Sequence, residues 1–241
     1  MNSTKSAGRM VGILLLLHFT AGLIVPFVML DRVRGAAGFL ENAATNSAQL
    51  RAAVLLLFVG SAFCMAIAIA ALPVFRRYSS AMAFWLLALG VAGFSLQAVD
   101  NAHLLSILSL SQEYANAGAA KADLFRGLAI VVLSARKWAH YSSLLLVGSW
   151  IFLLFTLLYR FRLVPRVLAA LGIISSMLQI TGVPLRGLLG YPPEPRLAMP
   201  LAPVYVTLAV WLIVQGFDEQ HLPTQVEEAA VEVAGARCKP A

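Results

Sequence analysis

Apolar residues gather in six long runs, at residues 10–30, 52–75, 81–105, 139–159, 167–185 and 197–217, separated by short polar stretches that often contain arginine. Each run is close to the ~20 residues a helix needs to cross the ~30 Å hydrocarbon layer of a bilayer. The pattern therefore predicts an all-α protein, a polytopic transmembrane helical bundle of six spans. One segment is ambiguous. An apolar extension carries the third run to Leu110, residues 111–120 are polar or small, and residues 124–133 form an apolar stretch too short to span alone. Joining that stretch to the fourth run draws Arg136 and Lys137 into hydrocarbon, at about 2.5–3.5 kcal/mol each if central. An interfacial helix before span four avoids this cost; one long tilted helix protruding from the membrane is the alternative.

Composition supports the pattern. Hydrophobic residues make up 60% of the 241 positions and charged residues 12%, against about 25% charged in an ordinary soluble domain. The net charge of +7 does not point to nucleic acid, because the basic residues flank apolar runs, where membrane orientation and lipid headgroups use them. Cys64 lies within a span and Cys238 in the polar tail, so no structural disulfide and no CxxC motif is expected. The first run exceeds the ~7–15 residues of a signal-peptide core and ends in Asp31-Arg32 without a small-residue cleavage site, so it reads as a retained span. Residues 1–9 form a short N-terminus, 10–217 the membrane domain, and 218–241 a polar, flexible tail. Gly35, Asn42, Thr45 and Asn46 make the first loop a polar connection, and Tyr191-Pro192-Pro193-Glu194-Pro195 a stiff one between spans five and six. There is no internal repeat of the kind many transporters carry.

Orientation follows from charge density. With the N-terminus inside, basic residues are equally numerous on the two sides, but Arg76, Arg77, Arg160, Arg162 and Arg166 crowd two short loops that hold no acid. The opposite loops interleave Asp31, Glu41, Glu113, Asp123 and Glu194 with their cations. The positive-inside rule then favours both termini in the cytoplasm.

Ionisable residues within a span are costly and normally face a partner or a cavity. Span three holds Gln97, Asp100 and Asn101 on one helical face, with His103 a turn above, and His140 opens span four at the same outer level. Asp100, His103 and His140 are a carboxylate and two imidazoles, suited to a zinc or iron site or to proton transfer and ligand binding. The structural reading of the same residues has Arg136, Lys137, Arg51 or Arg186 neutralising Asp100 while the histidines hydrogen-bond at the interface. His18, well below this group in span one, reads as a neutral histidine bonded to another helix. Ser175, Ser176, Gln179 and Thr181, with Tyr205 and Gln215, either pack helices together or line a pathway. Trp138, Tyr159, Tyr191 and Trp211 suit an interfacial aromatic belt, and Arg160, Arg162 and Arg166 suit anionic lipid headgroups.

Four segments in order, Ala71-Leu72-Pro73-Val74-Phe75-Arg76-Arg77-Tyr78, Leu110-Ser111-Gln112-Glu113-Tyr114, Leu158-Tyr159-Arg160-Phe161-Arg162-Leu163-Val164-Pro165-Arg166 and Val210-Trp211-Leu212-Ile213-Val214-Gln215-Gly216-Phe217, resemble the membrane proteins grouped as domain-of-unknown-function family 4386. The resemblance implies a helical protein of a bacterial cytoplasmic membrane with no established activity, and it supplies no catalytic residues or cofactor. The expected function is binding of a lipid or small amphiphile in a polar pocket near the outer face, formed by Gln97, Asp100, Asn101, His103 and His140. An intramembrane metal-dependent enzyme using Asp100, His103 and His140, and a small transporter, are the alternatives.

Overall fold

The computed structural model describes residues 2–31, 39–117 and 121–218. Arg32 and Arg34 of the first loop, and the tail expected to be flexible beyond Asp218, lie outside the described residues. Six helices are long and apolar enough to cross a membrane: Thr4–Met29, Ser47–Phe75, Ser80–Asn116, Ala122–Arg160, Arg166–Leu188 and Pro195–Gln215. Their outward faces carry large apolar side chains such as Phe27, Trp85, Ile130 and Val167, each at least 65% exposed, which only a hydrocarbon surrounding solvates favourably.

Helix α1 (Asn2–Ile24) runs into a π-helical turn at Val25–Met29, and α6 (Arg166–Ile180) into another at Thr181–Leu185. Each turn contains a proline, Pro26 or Pro184. Proline donates no backbone hydrogen bond, and the wider π turn absorbs the missing bond without ending the span. A short helix, α7 (Arg186–Leu188), completes the fifth span. The loop after it is tied down, since Arg186 Nε donates to the Pro192 carbonyl at 2.9 Å and the Glu194 amide to the Gly182 carbonyl at 2.8 Å.

Around the bundle, α1 packs on α3 (Ser47–Phe75), α3 on α4 (Ser80–Asn116), α4 on α5 (Ala122–Arg160), α5 on α6, and α6 on α8 (Leu201–Gln215), which returns to α1. Consecutive spans are thus neighbours and the ring closes between last and first. Helix α5 is the most interior, with 44% of its most apolar window buried. The closure relies on Gly8 and Gly12, spaced four apart on one face of α1. A Cβ at Gly8 would lie 2.4 Å from the Phe217 amide nitrogen, and one at Gly12 would lie 2.7 Å from the Ala209 carbonyl. This is backbone-to-backbone approach of the small-xxx-small kind. Gly216, at φ 75°, then turns the backbone across Lys5, and the Asp218 amide donates to the Leu163 carbonyl at 2.9 Å. Phe217 is thereby buried against Phe75, closing the floor of the main core around Leu15, Ile67, Trp150 and Leu154.

Three expectations are corrected. Residues 124–133 form no separate interfacial helix: they continue without a break into span four as α5. The polar residues from Ser111 do not end span three either, because α4 runs on to Asn116. At ~1.5 Å per residue the two helices are about 55 Å long and outreach the hydrocarbon, so Arg136 and Lys137 stand near its boundary and escape the penalty of a central charge. Third, the first loop is not simply a polar connection. It contains α2 (Phe39–Thr45), whose Phe39, Leu40 and Ala43 are buried with Leu104, Ile107 and Leu108 of α4 in a second core. Ser111 clamps this helix, donating to the Leu40 carbonyl and accepting from the Ala44 amide at 2.8 Å. Ser111→Ala leaves both α2 groups without this partner, a loss of about 1–3 kcal/mol. Hydrogen exchange of Ala44 is expected to rise while exchange in the middle of α5 stays as in the wild type.

Candidate functional site: a buried ionic cluster and a polar layer within the bundle

Gln97, Asp100 and Asn101 share the α4 face that meets α5, as their spacing predicts. On α5, Arg136, His140 and Ser143 follow at intervals of four and three and answer them. Asp100 is only 1% exposed. Its Oδ1 lies 3.5 Å from Arg136 Nε, and its Oδ2 3.4 Å from His140 Nδ1. An ionised carboxylate only accepts, so the His140 proton in this contact is on Nδ1 and Nε2 points away from it. Gln97 Nε2 donates to Asp100 Oδ2 at 3.4 Å and to Asn101 Oδ1 at 3.0 Å, and its own Oε1 accepts from Ser143 Oγ at 3.4 Å. Asn101 Nδ2 reaches the Val54 carbonyl at 3.3 Å, joining α3 to the group. Three helices are thereby held by one polar network. Below it, the rings of Phe58 and Phe94 pack 5.8 Å apart between α3 and α4.

The cluster stands ~30 Å up α4 from Ser80 and ~30 Å up α5 from Arg160, at ~1.5 Å per residue, about one hydrocarbon thickness from the end of the bundle that holds the N-terminus. Arg136 has 22% of its side chain exposed and His140 46%. Lys137 lies over the Trp138 ring at 5.1 Å, and Trp138 meets Tyr141 edge-on, as at a headgroup interface. The candidate residues do not all converge. His103 is partly buried and makes no hydrogen bond to Asp100 or His140. Among the described residues, no three His, Cys, Asp or Glu side chains are grouped so as to hold a metal ion. Arg136 stands at the carboxylate, one of the four cations named from the sequence as able to neutralise it.

A second polar layer lies lower in the bundle. His18 Nδ1 donates to the Gly60 carbonyl of α3 at 2.9 Å, the interhelical bond expected of it. The Cys64 sulfur sits 3.7 Å from that nitrogen, and the Trp150 and Tyr205 rings are centred 6.4 and 6.2 Å from the imidazole. Ser176 bonds within its own helix, to Ile173, and so does Thr181, to Met177. Gln179 instead reaches across to Gly148 of α5. Trp138, Tyr159, Tyr191 and Trp211 are all between 38% and 62% exposed, and Arg160, Arg162 and Arg166 are exposed at the N-terminal-side loop.

Six apolar spans closed around interior polar side chains define a multi-pass integral membrane protein. A family model described as a domain of unknown function, DUF4386, matches residues 10–216, and the chain belongs to that family. Neither a curated protein nor a solved structure matches it.

Proposed function

We propose that this protein lies in a bacterial cytoplasmic membrane with its N-terminus inside and binds a lipid or small amphiphile at the outer ends of α4 and α5. The observation that carries the reading is His140, which buried Asp100 holds by Nδ1 while nearly half of the side chain stays open at the hydrocarbon boundary. A histidine fixed in this way turns Nε2 away from the carboxylate, and exposed Lys137 lies three positions before it on the same helix. That pair suits an anionic head group, with the acyl chain lying along the exposed apolar faces of the two helices. Orientation rests on the arginines at the other end, where Arg76, Arg77, Arg160 and Arg166 are exposed in short loops.

Purified protein titrated with short-chain phosphatidylglycerol, with bound lipid counted by native mass spectrometry, tests the reading. His140→Ala is expected to weaken binding about tenfold, the loss of one hydrogen bond to a charged group, and to leave phosphatidylcholine binding unchanged. A variant with Arg160, Arg162 and Arg166 all changed to Gln separates headgroup contacts at the opposite end. Wild-type affinity for phosphatidylglycerol in His140→Ala would overturn the proposal.

A further inference from the structure

Exposed cations crowd the end of the bundle where α1 begins and α8 ends. Arg76 and Arg77 stand between α3 and α4, Arg160 and Arg166 bound the turn between α5 and α6, and Lys5 and Arg9 lie in the first two turns of α1. All six are exposed. Among the described residues, none of them pairs with a carboxylate. Arg76 and Arg166 lie instead over the rings of Phe84 and Tyr159, 5.5 and 5.8 Å from the centroids. A ring face attracts a cation without neutralising it.

The acids that could answer them are gathered in one segment. Of the 11 acidic residues in the chain, five fall within 15 positions, Asp218, Glu219, Glu227, Glu228 and Glu232. The others, from Asp31 to Glu194, all stand at or toward the opposite end. The structure also fixes where this segment starts. Phe217 is buried against Phe75, next to Arg76, and Gly216 lies over Lys5. The Asp218 amide donates to the Leu163 carbonyl, within the turn that Arg160 and Arg166 bound. Asp218 therefore leaves the bundle in the middle of three basic clusters. At up to ~3.5 Å per residue, Glu227 and Glu228 reach ~30 Å from that point. Neighbouring helices stand only ~8–10 Å apart, so the acids can meet every cation at this end.

We propose that the acidic segment 219–232 docks on this arginine-lined end and competes there with anionic lipid headgroups. Exposed ion pairs are individually weak, so the contact depends on several forming together. Tethering at Asp218 favours this, because it holds the acids at a local concentration of about millimolar. Both occupants present acceptor oxygens to the same guanidinium groups. The contact lies at the end away from His140 and stands whether or not that site binds lipid.

A spin label on the segment tests the docking. Cys64 is buried, so in a Cys238→Ser, Val231→Cys protein a thiol-reactive nitroxide attaches at position 231 alone. In detergent at 0.01 M salt, where the Debye length is ~30 Å, the EPR spectrum is expected to carry an immobilised component. At 1 M salt, where that length is ~3 Å, the component should disappear. Changing Arg76, Arg77, Arg160 and Arg166 together to Gln should remove it at low salt. These side chains are exposed, so unfolding in SDS should stay as in the wild type. Short-chain phosphatidylglycerol should release the label and phosphatidylcholine should not. A chain ending at Asp218 should bind phosphatidylglycerol roughly threefold more tightly by native mass spectrometry, the scale of one exposed ion pair. A label already mobile at low salt, or an immobilised component that survives the arginine changes, would overturn the docking. So would a component that forms only at high protein concentration, which would place the segment on a neighbouring copy. Equal phosphatidylglycerol affinity in the full and shortened chains would overturn the competition.

Discussion

Gly12→Val is expected to be the most damaging single change in the apolar part of the bundle. The added side chain points at backbone: a Cβ at Gly12 lies 2.7 Å from the Ala209 carbonyl oxygen and 2.9 Å from the Ile213 amide nitrogen. No rotamer change in α8 relieves such a clash, so α1 and α8 must separate. Separation withdraws the fully buried Val11 and Leu15 from Leu208 and Leu212, and loosens Gly216 and Phe217 packed over Gly8. Overpacking of a tight core costs about 1–3 kcal/mol and more when backbone has to move. For Gly12→Val we expect about 3 kcal/mol, and for Gly12→Ala a smaller loss of the same sign. Unfolding by SDS titration in mixed micelles measures both. Gly22→Ala is the control on the same helix. Its new methyl meets nothing within 4 Å, and exchange of a mid-helix glycine for alanine favours the helix by about 0.5–1 kcal/mol. A Gly12→Val protein as stable as the wild type would mean that α1 and α8 are not in van der Waals contact.

The glycine pair also marks where sequence and structure part. The spacing stands in the chain as Gly8-Arg9-Met10-Val11-Gly12, at the edge of an apolar run, where length and hydropathy alone give it no weight. Span number was legible because crossing hydrocarbon demands about 20 apolar residues, whatever the neighbours do. The α4 face of the cluster was legible for a similar local reason, since residues three and four apart share a face. What answers that face was legible only in part, as His140 at the same level and Arg136 among several cations able to reach Asp100. The partner face depends on the register of α5 against α4, which is a property of packing. That register brings Arg136, His140 and Ser143 down on Gln97 and Asp100. His103, a turn higher, falls near the level where Leu104 and Ile107 pack with α2. Helix ends beyond the membrane were illegible for a different reason. Once outside hydrocarbon, α4 is held by Ser111 and by Phe39 of α2, contacts made across more than sixty positions of sequence.

Removing Arg136 alone is expected to cost more than removing both members of the Asp100–Arg136 pair. Breaking a buried ion pair from one side leaves an uncompensated charge, at about 3–5 kcal/mol, whereas replacing the pair by neutral groups is often far less costly. The two single losses should also differ. In Arg136→Gln the surviving carboxylate is 1% exposed and fixed by Gln97 on a short stem. In Asp100→Asn the surviving guanidinium already has 22% of its side chain exposed, and its long stem lets it snorkel to the headgroups. We therefore expect about 3 kcal/mol for Arg136→Gln, at the lower end of the range for buried pairs, and roughly half that for Asp100→Asn. The double variant should fall short of the summed losses by more than about 1.5 kcal/mol, and so cost less than Arg136→Gln alone, whereas independent sites add within ~0.5 kcal/mol. The cycle is read by SDS unfolding of the four proteins in one detergent. Additive losses would show that the 3.5 Å approach carries no coupling, leaving the His140–Asp100 contact and the hydrogen bonds of Gln97 and Asn101 as the links among α3, α4 and α5. Coupling, together with lost lipid binding only in His140→Ala, would assign the two partners of Asp100 different work. Arg136 would hold the helices, and His140, oriented by the same carboxylate, would face the ligand.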